Sequence, residues 1–242
     1  MNTKTAGNSL SIFFDLDDTI LDFHKAEAIA LSKALSELDV DHSADTLKLY
    51  SRINDQQWKR LEKGLATRDE ILLRRFEILF SELRIDASAE KARDLYEDHL
   101  CEGHFFIDGV PEVLDELYPE YELYIISNGT GRVQESRMKS AGINKYFRNV
   151  FISEKIGANK PDAEFFKRCF SQIPGFEKKR AVIVGDSLSS DILGGVNAGI
   201  KTVWYNPRHL PEDGTAAADF TISHMSELPE LLKTVMAQLI KV

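Results

Sequence analysis

Two aspartates spaced two residues apart, Asp15 and Asp17, follow a short apolar run and are suited to chemistry at a sheet edge. The run Leu10–Asp15 is rich in β-branched and aromatic residues and ends in the first acid, which predicts a buried strand. Ligands bind at the carboxyl ends of parallel strands, so both carboxylates are expected at that edge. On its own the pattern is weak, because short acidic motifs also serve as turns and helix caps.

Three further strand-like runs are also followed by polar residues. Ser127, Asn128 and Gly129 come at the end of the second run, and Lys160 follows the third. The fourth run leads into Asp186 and Asp191. Four successive strands therefore deliver polar groups to one edge of the predicted sheet, which indicates a single site.

Electrostatics indicates what such a site must hold. Asp15, Asp186 and Asp191 bring three like charges to one pocket, and at about 4 Å each pair costs about 4 kcal/mol at an effective dielectric constant near 20. Lys160 is the one basic residue that the motifs bring nearby. A hard dication is therefore needed, and an all-oxygen ligand set favours Mg²⁺ over zinc. With Mg²⁺ and Lys160 balancing the carboxylates, a phosphate dianion can enter.

The elements that position these residues alternate along the chain. Helix-length segments lie between the apolar runs, and this rhythm predicts a doubly wound parallel sheet of the α/β class. The predicted strands are Leu10–Asp15, Tyr121–Ser127, Asn149–Ser153, Arg180–Gly185, Ile200–Tyr205 and a weak Asp219–Ser223. The predicted helices of this part are Val110–Leu117, Arg132–Ala141, Asp162–Phe170 and Ser190–Ala198.

The stretch from residue 23 to 105 interrupts the alternation. It has no strand-like run and carries charged segments with apolar residues at helical spacing. Thr67–Glu70 has the spacing of a capping box, which opens a helix. We expect about four helices here, inserted between the first and second strands. The predicted domains are a catalytic core of residues 1–22 and 106–242 and a helical domain of residues 23–105.

Composition excludes several classes of function. The net charge of −9 disfavours nucleic-acid polymers as partners. The two cysteines form no CxxC pair and the six histidines form no HExxH, which argues against zinc or redox chemistry. The longest apolar runs are strand-sized and the first residues are polar, so we expect no membrane partner and a cytoplasmic location. The expected partner is a small phosphorylated metabolite, and the chain is expected to be a monomer or homodimer.

In their order and spacing these residues resemble the four motifs of the haloacid dehalogenase-like phosphatases. The matching residues are Asp15 with Asp17, Ser127, Lys160, and Asp186 with Asp191. The insertion after the first motif is similar to the helical C1-type cap of this family. The resemblance covers nearly the whole chain and implies a haloacid dehalogenase-like Rossmannoid core with an α-helical cap.

The resemblance implies a role for each residue. Asp15 would be the nucleophile that forms an aspartyl-phosphate, and Asp17 the general acid and then the general base. Lys160 would neutralise Asp15 and the phosphoryl group. The implied phosphate-binding residues are Ser127, Asn128 through its amide, Gly129 and Lys160.

The same resemblance implies a Mg²⁺ site. Asp15, Asp186 and the backbone carbonyl of Asp17 would be ligands of the ion. Asp191 would instead hold a metal-bound water or orient Lys160.

Several segments look like the pyrimidine 5′-nucleotidase branch, among them Ser127–Thr130, Phe151–Gly157 and Gly185–Leu188. The implied reaction is hydrolysis of pyrimidine nucleoside 5′-monophosphates. Acylneuraminate-9-phosphatases, FMN phosphatases and phosphoglycolate phosphatases share these segments and remain alternatives. A β-phosphoglucomutase-like phosphotransferase also remains open, since mutases keep both aspartates. Dehalogenases lack the second aspartate, and a non-enzymatic binding module would not need intact motifs, so both are disfavoured.

The inserted helices must read the leaving group, because the motifs contact only phosphate and metal. Trp58 could stack on a base. Packing and solvated helix faces are the plainer explanations for Trp58 and the polar residues near it. The candidates are Trp58, Arg52, Asn54, Lys59 and Arg60.

Overall fold

The computed structural model describes residues 9–240, and the α/β class predicted from the sequence is confirmed. Six parallel strands form one sheet in the order β3-β2-β1-β4-β5-β6. This is a doubly wound order with its switch point at β1, where ligands bind in folds of this kind. The strands are β1 (Ser11–Phe14), β2 (Glu122–Ser127), β3 (Asn149–Ile152), β4 (Ala181–Gly185), β5 (Lys201–Tyr205) and β6 (Phe220–Ile222).

The helices alternate with strands except in two places. Between β1 and β2 the chain forms four long helices before α5, and between β5 and β6 the described chain forms no helix. The helices are α1 (Phe23–Glu37), α2 (Ala44–Glu62), α3 (Arg68–Leu83), α4 (Ala89–Leu100), α5 (Val110–Leu117), α6 (Gly131–Ser140), α7 (Ser153–Ile156), α8 (Ala163–Phe170), α9 (Leu193–Ala198) and α10 (Leu228–Ile240). Within residues 9–240, no helix is long and apolar enough to cross a membrane.

The chain divides into two compact units. The first contains the sheet and is built from the chain up to Asp22, from Phe106–Gly131 and from Gly142 onward. The second, here the helical unit, contains Phe23–Phe105 together with Arg132–Ala141. Most of α6 therefore packs with the inserted helices. The functional division into a catalytic core and a cap stays a prediction.

In the sheet unit, aromatic side chains from β1, β2 and α8 fill one side of the sheet. Phe13 stacks on Tyr124 with ring centroids 5.0 Å apart. Phe165, Phe166 and Phe170 of α8 belong to the same buried cluster. Strands buried in this way are continuous apolar runs, which explains why they could be recognised in the sequence.

In the helical unit, α1 packs on α4, and α3 packs on both α2 and α4. Tyr50, Phe76 and Tyr96 lie at the centre of its core. The predicted capping box is present at the start of α3, where the Thr67 side chain accepts the Glu70 N–H and the Glu70 carboxylate accepts the Thr67 N–H. The expectation of about four helices in this stretch is confirmed by α1–α4.

Two local features differ from the sequence expectations. The first residues of the predicted helix Ser190–Ala198 belong to a π-helical turn at Leu188–Ile192, and α9 begins only at Leu193. Such turns widen the helix and occur often at functional sites. The sequence analysis also assigned no element to Leu228–Ile240, where α10 lies.

Candidate active site

The site lies where β1 and its two neighbours end. Phe14, the last residue of β1, is in register with Ile125 on β2 and Val184 on β4. Asp15 extends the ladder by one step, because its backbone N–H donates to the Val184 carbonyl at 2.9 Å. The ladder therefore fixes the Asp15 backbone beside the end of β4, immediately before Asp186.

Lys160 connects the strand ends through a buried ammonium group. Its Nζ lies 2.5 Å from Asp15 Oδ1 and 2.6 Å from Asp191 Oδ1, and it donates to the Ile126 carbonyl at 3.1 Å. Lys160 and Asp191 are almost fully buried, and Asp15 is 7% exposed. Burial opposes the charged ammonium, but Asp15 and Asp191 outweigh it and hold the pKa of Lys160 above its usual value. Lys160 therefore stays charged between two carboxylates.

Three carboxylates converge beside this ammonium. Oxygen atoms of Asp15, Asp186 and Asp191 all lie within 4.8 Å of one another. Burial raises the pKa of Asp15 well above its usual range; Lys160 opposes this, while Asp191 and Asp17 add to it. Burial, followed by repulsion from Asp191, Asp18 and Asp15, raises the pKa of Asp186 in the same direction. One ammonium cannot balance three carboxylates, and their all-oxygen donor set fits a Mg²⁺ ion.

Asp191 already uses both of its carboxylate oxygens. Oδ1 accepts from Lys160, and Oδ2 accepts the backbone N–H of Ser187 at 3.1 Å. Gly185 makes room for this carboxyl group, since a Cβ at that position would lie 2.4 Å from the Asp191 carboxyl carbon. These contacts suit Asp191 to orienting Lys160.

Asp186 is supported from the neighbouring strand. The Trp204 indole Nε1–H donates to the Asp186 backbone carbonyl at 2.8 Å. Trp204 is in register with Gly185, the last residue of β4. Sequence reasoning missed Trp204, although pairing the end of β4 with the end of β5 would have found it.

Asp17 lies in a tight turn just after Asp15. Asp17 forms a bridge with Leu21, and the Leu21 N–H donates to the Leu16 carbonyl at 2.9 Å. Asp18 adopts a positive φ of 56° within this turn, a conformation that Asp tolerates better than most residues. Asp17 is half-buried and near enough to Asp15 to raise its pKa. Both carboxylates of the first motif therefore belong to the same site.

The second motif forms a turn at the end of β2. The Ser127 hydroxyl accepts the Gly129 backbone N–H at 3.0 Å, and Ser127 is 1% exposed. The Asn128 side chain bonds to the backbone of Lys160. The Gly131 N–H donates to Glu154 Oε2 at 2.6 Å, and a Cβ on Gly131 would lie 2.7 Å from that oxygen. A side chain at position 131 would therefore have to displace the Glu154 carboxylate.

The residues predicted to contact the leaving group occupy different environments in the helical unit. Asn54 is buried and bonds to both Glu27 and Arg75, so it belongs to the interior. Lys59 pairs with Asp55 on the surface, and Arg60 donates to Gln57 at 3.2 Å.

A cavity of about 320 Å³ in the helical unit is lined in part by Gln57, Arg60 and Leu73. Trp58 packs against a small apolar cluster that includes Leu61, Ile71 and Leu72, with the Arg68 guanidinium 5.6 Å from its ring centroid. The packing interpretation of Trp58 is therefore well supported.

The fold and the site together define an α/β protein with a carboxylate cluster, suited to a metal ion, at the switch point of a doubly wound sheet. The chain matches the haloacid dehalogenase-like hydrolase family over residues 12–205. It belongs to that family, as the sequence motifs predicted.

Three proteins illustrate what this chain is similar to over most of its length. The magnesium-bound crystal structure of the HAD-hydrolase YfnB from Bacillus subtilis has a TM-score of 0.88 and 36% identity, and covers 93% of this chain and 99% of that one. The pyrimidine 5′-nucleotidase PynA of Streptococcus pneumoniae is 36% identical over 222 residues, 91% of this chain and 94% of its own. The pyrimidine 5′-nucleotidase YjjG of Escherichia coli is 29% identical over 221 residues, 91% of this chain and 96% of its own.

Proposed function

We propose that this protein is a Mg²⁺-dependent phosphomonoesterase that hydrolyses pyrimidine nucleoside 5′-monophosphates through an aspartyl-phosphate on Asp15. The observation that carries the proposal is the position of the Lys160 ammonium, 2.5 Å from Asp15 and 2.6 Å from Asp191. An ammonium held there favours the anionic, nucleophilic form of Asp15 against the burial that opposes it, and places positive charge where a phosphoryl group would bind.

The first half of the reaction transfers the phosphoryl group to the protein. An Asp15 carboxylate oxygen attacks phosphorus, the bond from phosphorus to the ester oxygen breaks, and Asp17 donates a proton to the departing nucleoside oxygen. In the second half a water attacks the aspartyl-phosphate and Asp17 accepts its proton. Inorganic phosphate leaves and Asp15 is restored.

The remaining polar groups bind and orient the phosphoryl group. The Ser127 hydroxyl and the backbone N–H of Asn128 are suited to its oxygens, and Lys160 balances its charge. Gly129 contributes by donating its N–H to the Ser127 hydroxyl. Holding reactants in line is the main contribution that a protein makes to phosphoryl transfer.

The carboxylate cluster is suited to one Mg²⁺ ion. Asp15 and Asp186 would hold it through their carboxylates, and Asp17 through its backbone carbonyl, while Asp191 orients Lys160. The ion would supply positive charge that lets a phosphate dianion enter an acidic site. Burial, and after it repulsion among the carboxylates, raises the pKa values of Asp15 and Asp186. This supports the assignment, because a cation bound between these groups would favour their charged forms.

The substrate class rests on the relatives and on the helical unit. Two relatives named pyrimidine 5′-nucleotidases match more than 90% of the chain. We assign residues 23–105 as a cap domain and residues 1–22 and 106–242 as the catalytic core. Arg60, which lines the cavity of the helical unit, is the candidate for a contact to the nucleoside.

The test is a phosphate-release screen with Mg²⁺ over nucleoside monophosphates, sugar phosphates, FMN, phosphoglycolate and acylneuraminate 9-phosphate. We expect UMP, dUMP and dTMP to give the highest kcat/KM, and Asp15→Asn to release no phosphate from any of them. A different best substrate would refute the nucleotidase assignment and leave the phosphatase chemistry intact. Conversion of one sugar phosphate into another without net phosphate release would instead indicate a mutase.

A further inference from the structure

The side chain of Asn128 makes an unusual pair of contacts with one residue of a distant segment. Its Oδ1 accepts the Lys160 backbone N–H at 2.9 Å, and its Nδ2 donates to the Lys160 backbone carbonyl, also at 2.9 Å. A third, longer contact joins Nδ2 to the Ser190 hydroxyl at 3.4 Å. The side-chain amide of Asn128 therefore bonds to both backbone polar groups of Lys160, a residue 32 positions away.

Local sequence explains why this pairing is possible. Lys160 precedes Pro161, and a residue before proline is restricted to extended backbone. Extended backbone directs the N–H and C=O of one residue to the same side, where one side-chain amide can bond to both. Residues 158–162 lie outside any helix or strand, so side-chain bonds are needed to fix the main chain there.

The other end of Lys160 is in the reaction site. Its side chain is about 2% exposed and its Nζ contacts Asp15, Asp191 and the Ile126 carbonyl. A four-carbon stem has many rotamers, so the ammonium is precise only if the main chain is also held. The Asn128 pair fixes that main chain relative to the end of β2.

We propose that the Asn128 side chain is a positioning residue that locks Lys160 between Asp15 and Asp191. Its backbone N–H remains suited to phosphate, whereas its side-chain amide is committed to Lys160. The predicted kinetic effect rests on the proposed phosphatase function, but the positioning effect does not.

The experiment follows the Lys160 ammonium directly by nitrogen-15 NMR of the lysine NH₃⁺ groups in the intact protein. The protons of a buried, hydrogen-bonded ammonium exchange slowly with water, so the group gives a resolved signal. The signal that is missing from the spectrum of Lys160→Met is assigned to Lys160. We expect Asn128→Ala to broaden this signal beyond detection or shift it to the surface-lysine region. Asn128→Asp keeps an acceptor for the Lys160 N–H but loses the donor to its carbonyl, and should also displace the signal.

The matched control is Asn197→Ala. Asn197 Nδ2 donates to the backbone carbonyl of Pro161, the next residue, at 3.1 Å, and the side chain is exposed. Loss of that bond should leave the Lys160 signal in place. If general loosening of the loop were the cause, Asn197→Ala would change the signal as much as Asn128→Ala, and the proposal would be overturned.

Kinetics supply the second measurement. Misplacing a catalytic group by about 1 Å costs about 10²-fold in rate. The kcat of Asn128→Ala should therefore fall about 10- to 100-fold, and the fold-change in KM should be smaller than the fold-change in kcat. An unchanged Lys160 signal in both Asn128 variants would refute the proposal. If the wild-type protein had no phosphatase activity but the Asn128 variants still lost the Lys160 signal, the proposed function would be refuted and the positioning role supported.

Discussion

The indole N–H of Trp204 donates a 2.8 Å hydrogen bond to the backbone carbonyl of Asp186, joining the end of β5 to the first residue after β4. Asp186 leaves the sheet at this point, because Gly185 is the last residue of β4 in register with β5. Trp204 is 4% exposed, so the bond is shielded from water. The contact fixes the main chain from which the Asp186 carboxylate projects.

This relationship predicts that Trp204→Phe weakens binding of Mg²⁺ without unfolding the protein. One hydrogen bond contributes about 1 kcal/mol, which corresponds to about a fivefold change in affinity. Calorimetric titration with Mg²⁺ measures the effect. Trp58→Phe, the same change in the helical unit, is the control and should bind the ion like wild type. Equal affinity in Trp204→Phe would show that the bond has no role at the metal site.

A second prediction concerns the charge balance of the carboxylate cluster. Asp186→Asn removes one of three converging carboxylates, so it should abolish Mg²⁺-dependent phosphate release. It should also stabilise the metal-free protein, by on the order of 1 kcal/mol, because like-charge repulsion is relieved. Thermal melts with EDTA and with Mg²⁺ test both parts: wild type should be stabilised by the ion and inactive in EDTA, whereas the variant should respond little. Full wild-type activity in EDTA would contradict the proposed metal requirement.

A third prediction concerns Glu27, which is buried in the helical unit and accepts a 2.8 Å bond from Asn54. Burial raises the pKa of Glu27, while Ser51, His24, Asn54 and Arg75 oppose the shift. The folded protein therefore holds this proton to higher pH than the unfolded chain does. The stabilising contribution is present at low pH and is lost as pH rises through the folded-state pKa.

Glu27→Gln should consequently stabilise the protein near neutral pH, since a neutral amide can accept the Asn54 bond without a buried charge. The gain should be about 1 kcal/mol at about pH 7.5 and should vanish at about pH 3, where Glu27 is protonated in both states. Urea unfolding at the two values measures it. If Glu27→Gln instead destabilised the protein more at neutral than at acidic pH, the prediction would be wrong, and Arg75 and His24 would need the negative charge of Glu27 as a partner.

The sequence predicted the sheet well, and it predicted which polar residues would lie close together at its edge, because both depend on local patterns. Buried parallel strands are continuous apolar runs, and residues that follow them are brought to one edge by the topology alone. These patterns were sufficient to predict that Asp15, Lys160 and Asp191 lie close together. What it could not predict depends on contacts between distant segments, such as Trp204 with Asp186 and Asn128 with Lys160. The packing of α6 with the inserted helices is of the same kind, since its own sequence does not reveal its neighbours.

The last prediction separates the two aspartates of the first motif. In the proposed mechanism Asp15 forms the covalent bond, so Asp15→Asn should fail at the first step and incorporate no phosphoryl group. In the same mechanism Asp17 acts twice, first as acid and then as base, and loss of such help costs about 10²- to 10⁴-fold in rate for each step. Asparagine at position 17 keeps the size and the backbone carbonyl, so the effect reports proton transfer.

The leaving group decides which step of the Asp17→Asn enzyme is slow. A nucleoside alkoxide has a high pKa and needs a proton, whereas p-nitrophenolate leaves without one. With p-nitrophenyl phosphate the variant should give a burst and a long-lived phosphoenzyme, but with a nucleotide both steps should be slow. Acid-quench mass spectrometry of the peptide that contains Asp15 detects the phosphoryl group. Its appearance on Ser127 or on a histidine instead, or an Asp17→Asn enzyme of undiminished rate, would contradict the roles proposed for these two residues.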